Sequence, residues 1–172
     1  MRLLKGFVIA VCGLFLVITL FSLMMPSRVM TVRTVTINAS PQKIMDQLKD
    51  LQNWKNWHPF FKAEKNIVIS QPSSGMGAYA EWTSNNKKNH LQITEVTPNA
   101  VRVVIQRGGE NDLLNKISLT NYKDSSSIQV EWAALTTLKW YPWEKFSGIF
   151  LDKMTGPGYE ASLKELKSYL EQ

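Results

Sequence analysis

The sequence predicts an α+β fold in which one antiparallel sheet is covered by helices from the chain ends and preceded by a single apolar helix. Three observations predict it: a charge-free apolar run near the N-terminus, a series of strand-like segments in the middle, and helical spacing in the final third. The turns between the middle segments are too short for crossover helices, which disfavours a doubly wound sheet. With 172 residues, 44% hydrophobic and 20% charged, the chain allows one ordinary domain with an appendage. That excludes both a large multidomain enzyme and wholesale disorder.

The apolar run covers residues 7–25 and carries no charge. At about 1.5 Å per helical residue it matches the roughly 30 Å hydrocarbon core of a bilayer. Arg2 and Lys5 precede it, and Pro26 and Arg28 follow it. A secretory signal usually has a shorter apolar region followed by a small-x-small site, whereas residues 22–30 offer Met, Pro and Arg. The expectation is an uncleaved anchor over residues 1–28, with the lipid bilayer as partner, and a domain over 29–172. Basic residues stand on both flanks, with Arg28 and Arg33 after the run. The terminal amine tips the count towards a cytoplasmic N-terminus and an extracytoplasmic domain. The only cysteine, Cys12, lies in the run, so the domain has no thiol for a disulfide, a metal or nucleophilic attack. Residues 29–172 hold 17 Lys and Arg against 14 Asp and Glu, a net charge too small to mark a nucleic-acid partner. Lys87 and Lys88 are the densest basic spot, and a turn accounts for them.

Along the domain, residues 30–38 read as the first strand, with Arg33, Val35 and Ile37 alternating with Val32, Thr34 and Thr36. Ser40 then caps a helix beginning at Pro41, where a missing amide hydrogen costs nothing. Ile44, Leu48 and Leu51 make its apolar stripe, and Trp54, Trp57, Phe60 and Phe61 crowd a short second helix or turn that plugs the edge of a core. Strands are expected at 66–70, 77–83, 89–97, 100–107, 114–122 and 126–136, broken by Gly, Pro and Asn. Tyr159, Leu163, Leu166 and Leu170 align on a last helix, while Gly156, Pro157 and Gly158 predict a break or kink rather than a continuous rod over 143–171.

Two sets of residues could carry function. The first is acidic or imidazole: Glu81, His90, Glu95 and Glu131 are candidates for proton transfer if they enter a cavity, and ordinary solubilising residues if they face water. Glu81-Trp82 and Glu131-Trp132 repeat one dipeptide in two strands, so where the Trp faces one side the Glu faces the other. The second is aromatic: Trp54, Trp57, Tyr79, Trp82, Trp132, Trp140, Phe146 and Phe150 either fill the core or line a ligand pocket. Base stacking is disfavoured because Glu81, Glu131 and Glu144 sit among the rings. His58 and His90 belong to no metal spacing, and Gly75-Met76-Gly77 reads as a tight strand entry rather than a phosphate cradle. No metal or cofactor is expected.

The order of elements resembles the helix-grip fold of the START-like (SRPBCC) superfamily, in which a curved antiparallel sheet packs around a long C-terminal helix. The segment from Val35 to Pro41, with Asn53-Trp54-Lys55-Asn56-Trp57-His58-Pro59, is similar to the opening of its polyketide cyclase/dehydrase and lipid-transport group. Gly75 to Tyr79, Trp82 and Glu131-Trp132 are similar to its middle. Phe146, Gly148, Phe150, Asp152, Gly156-Pro157 and Tyr159 resemble the end of a membrane-anchored bacterial subgroup. The resemblance implies a cavity for a lipid or another hydrophobic small molecule; with the anchor and its flanking charges, the expectation is a protein of the bacterial inner membrane with its domain outside. It transfers no catalytic motif. The readings it leaves are a non-enzymatic binding protein, a cyclase- or dehydrase-like enzyme using a cavity carboxylate or histidine, and a structural or stress-related envelope protein with an unspecified protein partner.

Overall fold

A computed structural model describes residues 2–121 and 127–172. Helix α1 (Arg2–Leu23) is followed by strand β1 (Arg28–Ile37) and helices α2 (Pro41–Leu48), α3 (Trp54–Trp57) and α4 (Pro59–Ala63). Strands β2 (Val68–Ile69), β3 (Tyr79–Ser84), β4 (Lys87–Thr97), β5 (Ala100–Arg107), β6 (Leu113–Asn121) and β7 (Ile128–Thr137) lead to helix α5 (Pro142–Leu170). The expected strand ends at 122 and 126 lie outside the described residues.

All seven strands form one antiparallel sheet in the order β1-β7-β6-β5-β4-β3-β2. Local chemistry sets the turns. Asn85 and Asn86 both take positive φ, as a tight two-residue hairpin between β3 and β4 requires. Gly75 and Gly77 also have positive φ, and the Gly77 amide donates to the Ile93 carbonyl at 2.8 Å, which makes this the strand entry read from the sequence. At the start of α2 the Ser40 hydroxyl accepts from the Lys43 amide at 3.3 Å, with Pro41 in the first helical turn.

Alternation along the strands divides the sheet into an inner face, which carries the helices, and an outer face. One inner row runs Arg33, Trp132, Ile117, Val101 across β1, β7, β6 and β5. A second runs Val35, Val130, Leu119. Ile44, Met45 and Leu48 of α2 and Leu163, Leu166 and Leu170 of α5 are buried in the same core. Each such side chain contributes about 1.5–3 kcal/mol through removal of apolar surface from water.

Helix α5 packs chiefly on β1. Arg33 of β1 and Asp152 of α5 make a two-pronged pair, Nη1 to Oδ1 at 3.0 Å and Nη2 to Oδ2 at 3.1 Å. The pair raises the Arg33 pKa and holds the Asp152 carboxyl below its usual range, mainly through the shared hydrogen bonds. Further along, Lys167 donates to the Thr36 carbonyl at 2.9 Å, and Lys43 of α2 donates to the last-turn carbonyl of Leu170 at 3.1 Å.

The break expected at Gly156-Pro157-Gly158 is absent, because α5 runs continuously through Pro157. The reason is tertiary. Gly156 is buried against the Arg33 guanidinium, so the helix must continue here to present both Asp152 and a residue without a side chain to β1. A Cβ on Gly156 would lie 1.9 Å from Arg33 Nη2, whereas one on Gly158 would meet open space.

Two substitutions therefore separate packing from helix propensity. Gly156→Ala is expected to displace Arg33 from Asp152 and to destabilise the domain by about 1–3 kcal/mol, the usual cost of overpacking. Gly158→Ala is expected to be neutral or stabilising by about 0.5–1 kcal/mol. Thermal unfolding of both variants in detergent checks the pair; equal effects would remove the contact argument.

Candidate functional site

Between α3, α4, the inner face and α5 lies a cluster of rings. Trp132 projects from β7 and its indole Nε1 donates to Asn115 Oδ1 of β6 at 3.0 Å. The Trp54 indole is fixed similarly, donating to the Leu48 carbonyl at 3.0 Å. Trp54 and Trp57 stand 6.0 and 6.4 Å from Trp132 between ring centroids, and Tyr159 of α5 closes the other side at 5.3 Å. Phe61 of α4 lies 5.3 Å from Trp54. Phe60 contacts Trp82 at 5.0 Å, extending the set to β3. The tilted and edge-on arrangements are those aromatic quadrupoles favour.

His58, the residue linking α3 to α4, sits inside this set. Its ring stacks on Trp54 at 5.3 Å and lies 5.8 Å from Trp132. An edge of the residue stays accessible, but its Nδ1 is enclosed and has no hydrogen-bond partner among the described residues. The neighbouring Trp57 Nε1 is in the same condition. Burial pushes the His58 pKa down to about 4, because charging the imidazole among apolar rings costs more than charging it in water. Burial also raises the Tyr159 phenol, opposed by the charge of Arg107.

The structure brings Trp54, Trp57, Trp82 and Trp132 to this inner site and takes four other aromatic candidates elsewhere. Tyr79 is on the outer face, stacked on His90 at 5.3 Å. Trp140, Phe146 and Phe150 are exposed, in the segment leading into α5 and on its first half. Glu81 and Glu131 take the face opposite their adjacent tryptophans, as the alternation requires. Glu81 is 3.3 Å from His90 Nδ1, the two facing each other across β3 and β4. Glu95 pairs instead with Arg102 at 2.8 Å, and Glu131 stands in a row with Thr34 and Ser118. These groups are therefore not gathered at the ring cluster.

Two open hollows of about 460 and 400 Å³ lie along the outer face. The first is lined by Val68, Glu81, Thr83, Lys88, His90 and Gln106, and the second by Met30, Thr94, Arg102, Leu114, Lys116 and Leu135, among others. Among the described residues no group of His, Cys, Asp and Glu is placed to hold a metal ion.

Sequence reading passed over His58 as a site residue, considering it only as a metal ligand. Its signal was available in the string Trp54-Lys55-Asn56-Trp57-His58-Pro59, where one imidazole falls within a dense aromatic run.

A single antiparallel sheet packed around a long last helix, with an aromatic cluster between them, is the helix-grip fold. The chain belongs to the polyketide cyclase / dehydrase and lipid transport family, whose model matches residues 28–171. Among solved structures it is similar to a START superfamily protein from Mycobacterium smegmatis, at 17% identity and a TM-score of 0.62, covering 84% of this chain and 98% of that one. The protein XoxI from Bacillus cereus is similar at 13% identity and 0.61, covering 84% and 96%. The Staphylococcus aureus protein SA2116, of unknown function, is similar at 12% and 0.62, covering 84% and 94%. At these identities the likeness is one of fold. No curated protein matches the sequence.

The His58 environment makes a signed pH prediction. Above pH 6.5 the imidazole is neutral in both folded and unfolded chains; below it the unfolded chain takes up a proton that the folded one does not accept until about pH 4. This contribution to stability is thus complete above 6.5 and lost as pH falls towards 4, a total of about 3 kcal/mol. Denaturant unfolding across this range should show a steeper acid loss in the parent than in His58→Phe. Parallel curves would mean that His58 titrates as an exposed histidine.

Proposed function

We propose that the protein is a non-enzymatic, membrane-anchored binding protein for a lipid or another hydrophobic small molecule, held at the inner aromatic site. The observation that carries this reading is the pair of enclosed, unpartnered nitrogens, Trp57 Nε1 and His58 Nδ1, set among the rings of Trp54, Phe61 and Trp132. Leaving such a group unpaired costs about 1–3 kcal/mol, which a ligand with an apolar body and one polar group would offset. The rings are in contact, so entry requires α3 and α4, two short helices at the edge of the core, to shift outward and open the space in front of Trp132. The family supports a hydrophobic ligand. The outward placement of Glu81, His90, Glu95 and Glu131 takes these four groups out of any proton transfer at that site.

The segment Leu3–Leu23 is one helix long and apolar enough to cross a membrane, a property a signal sequence shares. In the proposed arrangement it remains as a single-pass anchor in a bacterial inner membrane, with the domain on the extracytoplasmic side. A topology reporter fused after Gln172 tests this directly; activity on the cytoplasmic side would reverse the orientation.

Mass spectrometry of the intact protein, extracted in mild detergent, is expected to recover a co-purifying hydrophobic molecule. Trp57→Phe and His58→Phe, which keep an aromatic ring and remove the enclosed nitrogens, should each weaken retention several-fold, while Glu81→Gln should leave it unchanged. An empty protein that also binds nothing in a lipid panel would overturn the reading. That result would favour the structural envelope role, with which the close packing of the rings is also consistent.

A further inference from the structure

Helix α5 changes character along its length. In its second half the exposed positions are Glu160, Ala161, Lys164, Glu165 and Ser168, an ordinary solvated surface. In its first half the exposed positions are mostly apolar, with Ser147 and Lys153 as the exceptions. Trp143, Phe146, Phe150 and Met154 follow one another at intervals of three and four, with Ile149 beside them, and they range from 41% exposed at Phe146 to 73% at Met154. The opposite side of this half is buried through Lys145, Gly148 and Gly156. The usual amphipathic arrangement, apolar towards the core and polar towards water, is thus lost over these turns. At the start of the helix Tyr141 stacks on Trp143 and Trp140 tilts against it, with Tyr141 5.0 Å from each indole.

The position of this face relative to α1 decides what covers it. The Lys145 ammonium donates to the Met25 carbonyl at 3.4 Å and to the Ser27 hydroxyl, so the first half of α5 is tied to the link between α1 and β1. The Leu138 amide, just ahead of the helix, donates to the Ser27 carbonyl at 2.8 Å. From Leu23, the last residue of α1, to Arg28, the first of β1, the chain spans at most about 18 Å even when fully extended. The apolar half of α5 is the half held at the exit of the apolar helix. Trp and Tyr favour the headgroup level, where a ring can be apolar on its face and wet at its polar edge, and the exposed Lys153 beside Met154 can meet a lipid phosphate.

We propose that the N-terminal half of α5, through Trp143, Phe146, Ile149, Phe150 and Met154, together with Trp140 just ahead of it, lies in the membrane interface as a second lipid contact beside α1. The domain is thereby held in one orientation on the bilayer rather than hanging from a swivel. This rests on the reading of α1 as a membrane span, and the test separates the two.

The full chain with Cys12→Ser is reconstituted in nanodiscs of phosphatidylethanolamine and phosphatidylglycerol. Nitroxide labels are placed singly through Leu16→Cys, Trp143→Cys, Phe150→Cys and Lys164→Cys, all at exposed side chains, so that no label replaces a core residue. Accessibility to oxygen, which concentrates in lipid, is compared with accessibility to a water-soluble nickel chelate. The expected result is an oxygen-to-nickel ratio several-fold higher at 16, 143 and 150 than at 164. An oxygen-favouring ratio at 16 alone, with 143 and 150 matching 164, overturns the interfacial contact and leaves the anchor intact. A nickel-favouring ratio at 16 overturns the anchor and the contact with it. Labels at 143 and 150 shielded from both reagents would show the face covered by protein, a second copy or another chain, and would likewise overturn the proposal.

Discussion

Trp132 is the side chain on which the domain converges. Asn115 fixes its indole from the adjacent strand, α3 brings Trp54 and Trp57 against it, and α5 brings Tyr159. A sheet can bury one face only by finding a second layer to cover it, and here the second layer is assembled from two distant parts of the chain. Trp132 touches both parts. Its single polar atom is satisfied inside the sheet, so the rest of the ring can serve purely as contact surface for the helices. The Arg33–Asp152 pair then sets how α5 lies on β1, and Arg33 is the cross-strand neighbour of Trp132.

The same cluster contains the largest departure from good polar accounting. Trp132 and Trp54 have partners for their indole nitrogens, whereas Trp57 and His58, a few ångströms away, do not. Rings that serve only as core carry their polar atoms to a partner. That contrast within one cluster is the ground on which the proposed ligand site rests.

Much of the fold was legible in the sequence because it depends on period and turn chemistry. Alternation around Trp132 correctly sent Glu131 to the other face, asparagine marked a strand break at Asn85-Asn86, and Ser40-Pro41 marked a helix start. The course of α5 through Pro157 was not legible. Proline and two glycines are local signals for a break, and they are overridden by a contact with Arg33 on a strand more than a hundred residues earlier. The site was read only in part for the same reason. Trp54, Trp57, Trp82 and Trp132 share a face through sheet register and helix docking, while Trp140 lies exposed ahead of α5 and Phe146 and Phe150 lie on the outside of that helix, whose buried side no periodicity of theirs reveals. His58 has no pattern of its own; its environment exists only once α3 and α4 close over β7.

The placement of β1 has a bearing on how the chain acquires this structure. It is the strand directly after α1, yet among the described residues its neighbour in the sheet is β7, the last strand described, and its helix partner is α5, which comes later still. The first segment of the domain therefore waits beside the apolar helix with its backbone groups unpaired until the final third has been synthesised. Closing such a long loop is entropically costly and slow, so the pairing of β1 with β7 belongs late in folding, after the hairpins from β3 to β6. During that interval a hydrophobic edge is open to other chains.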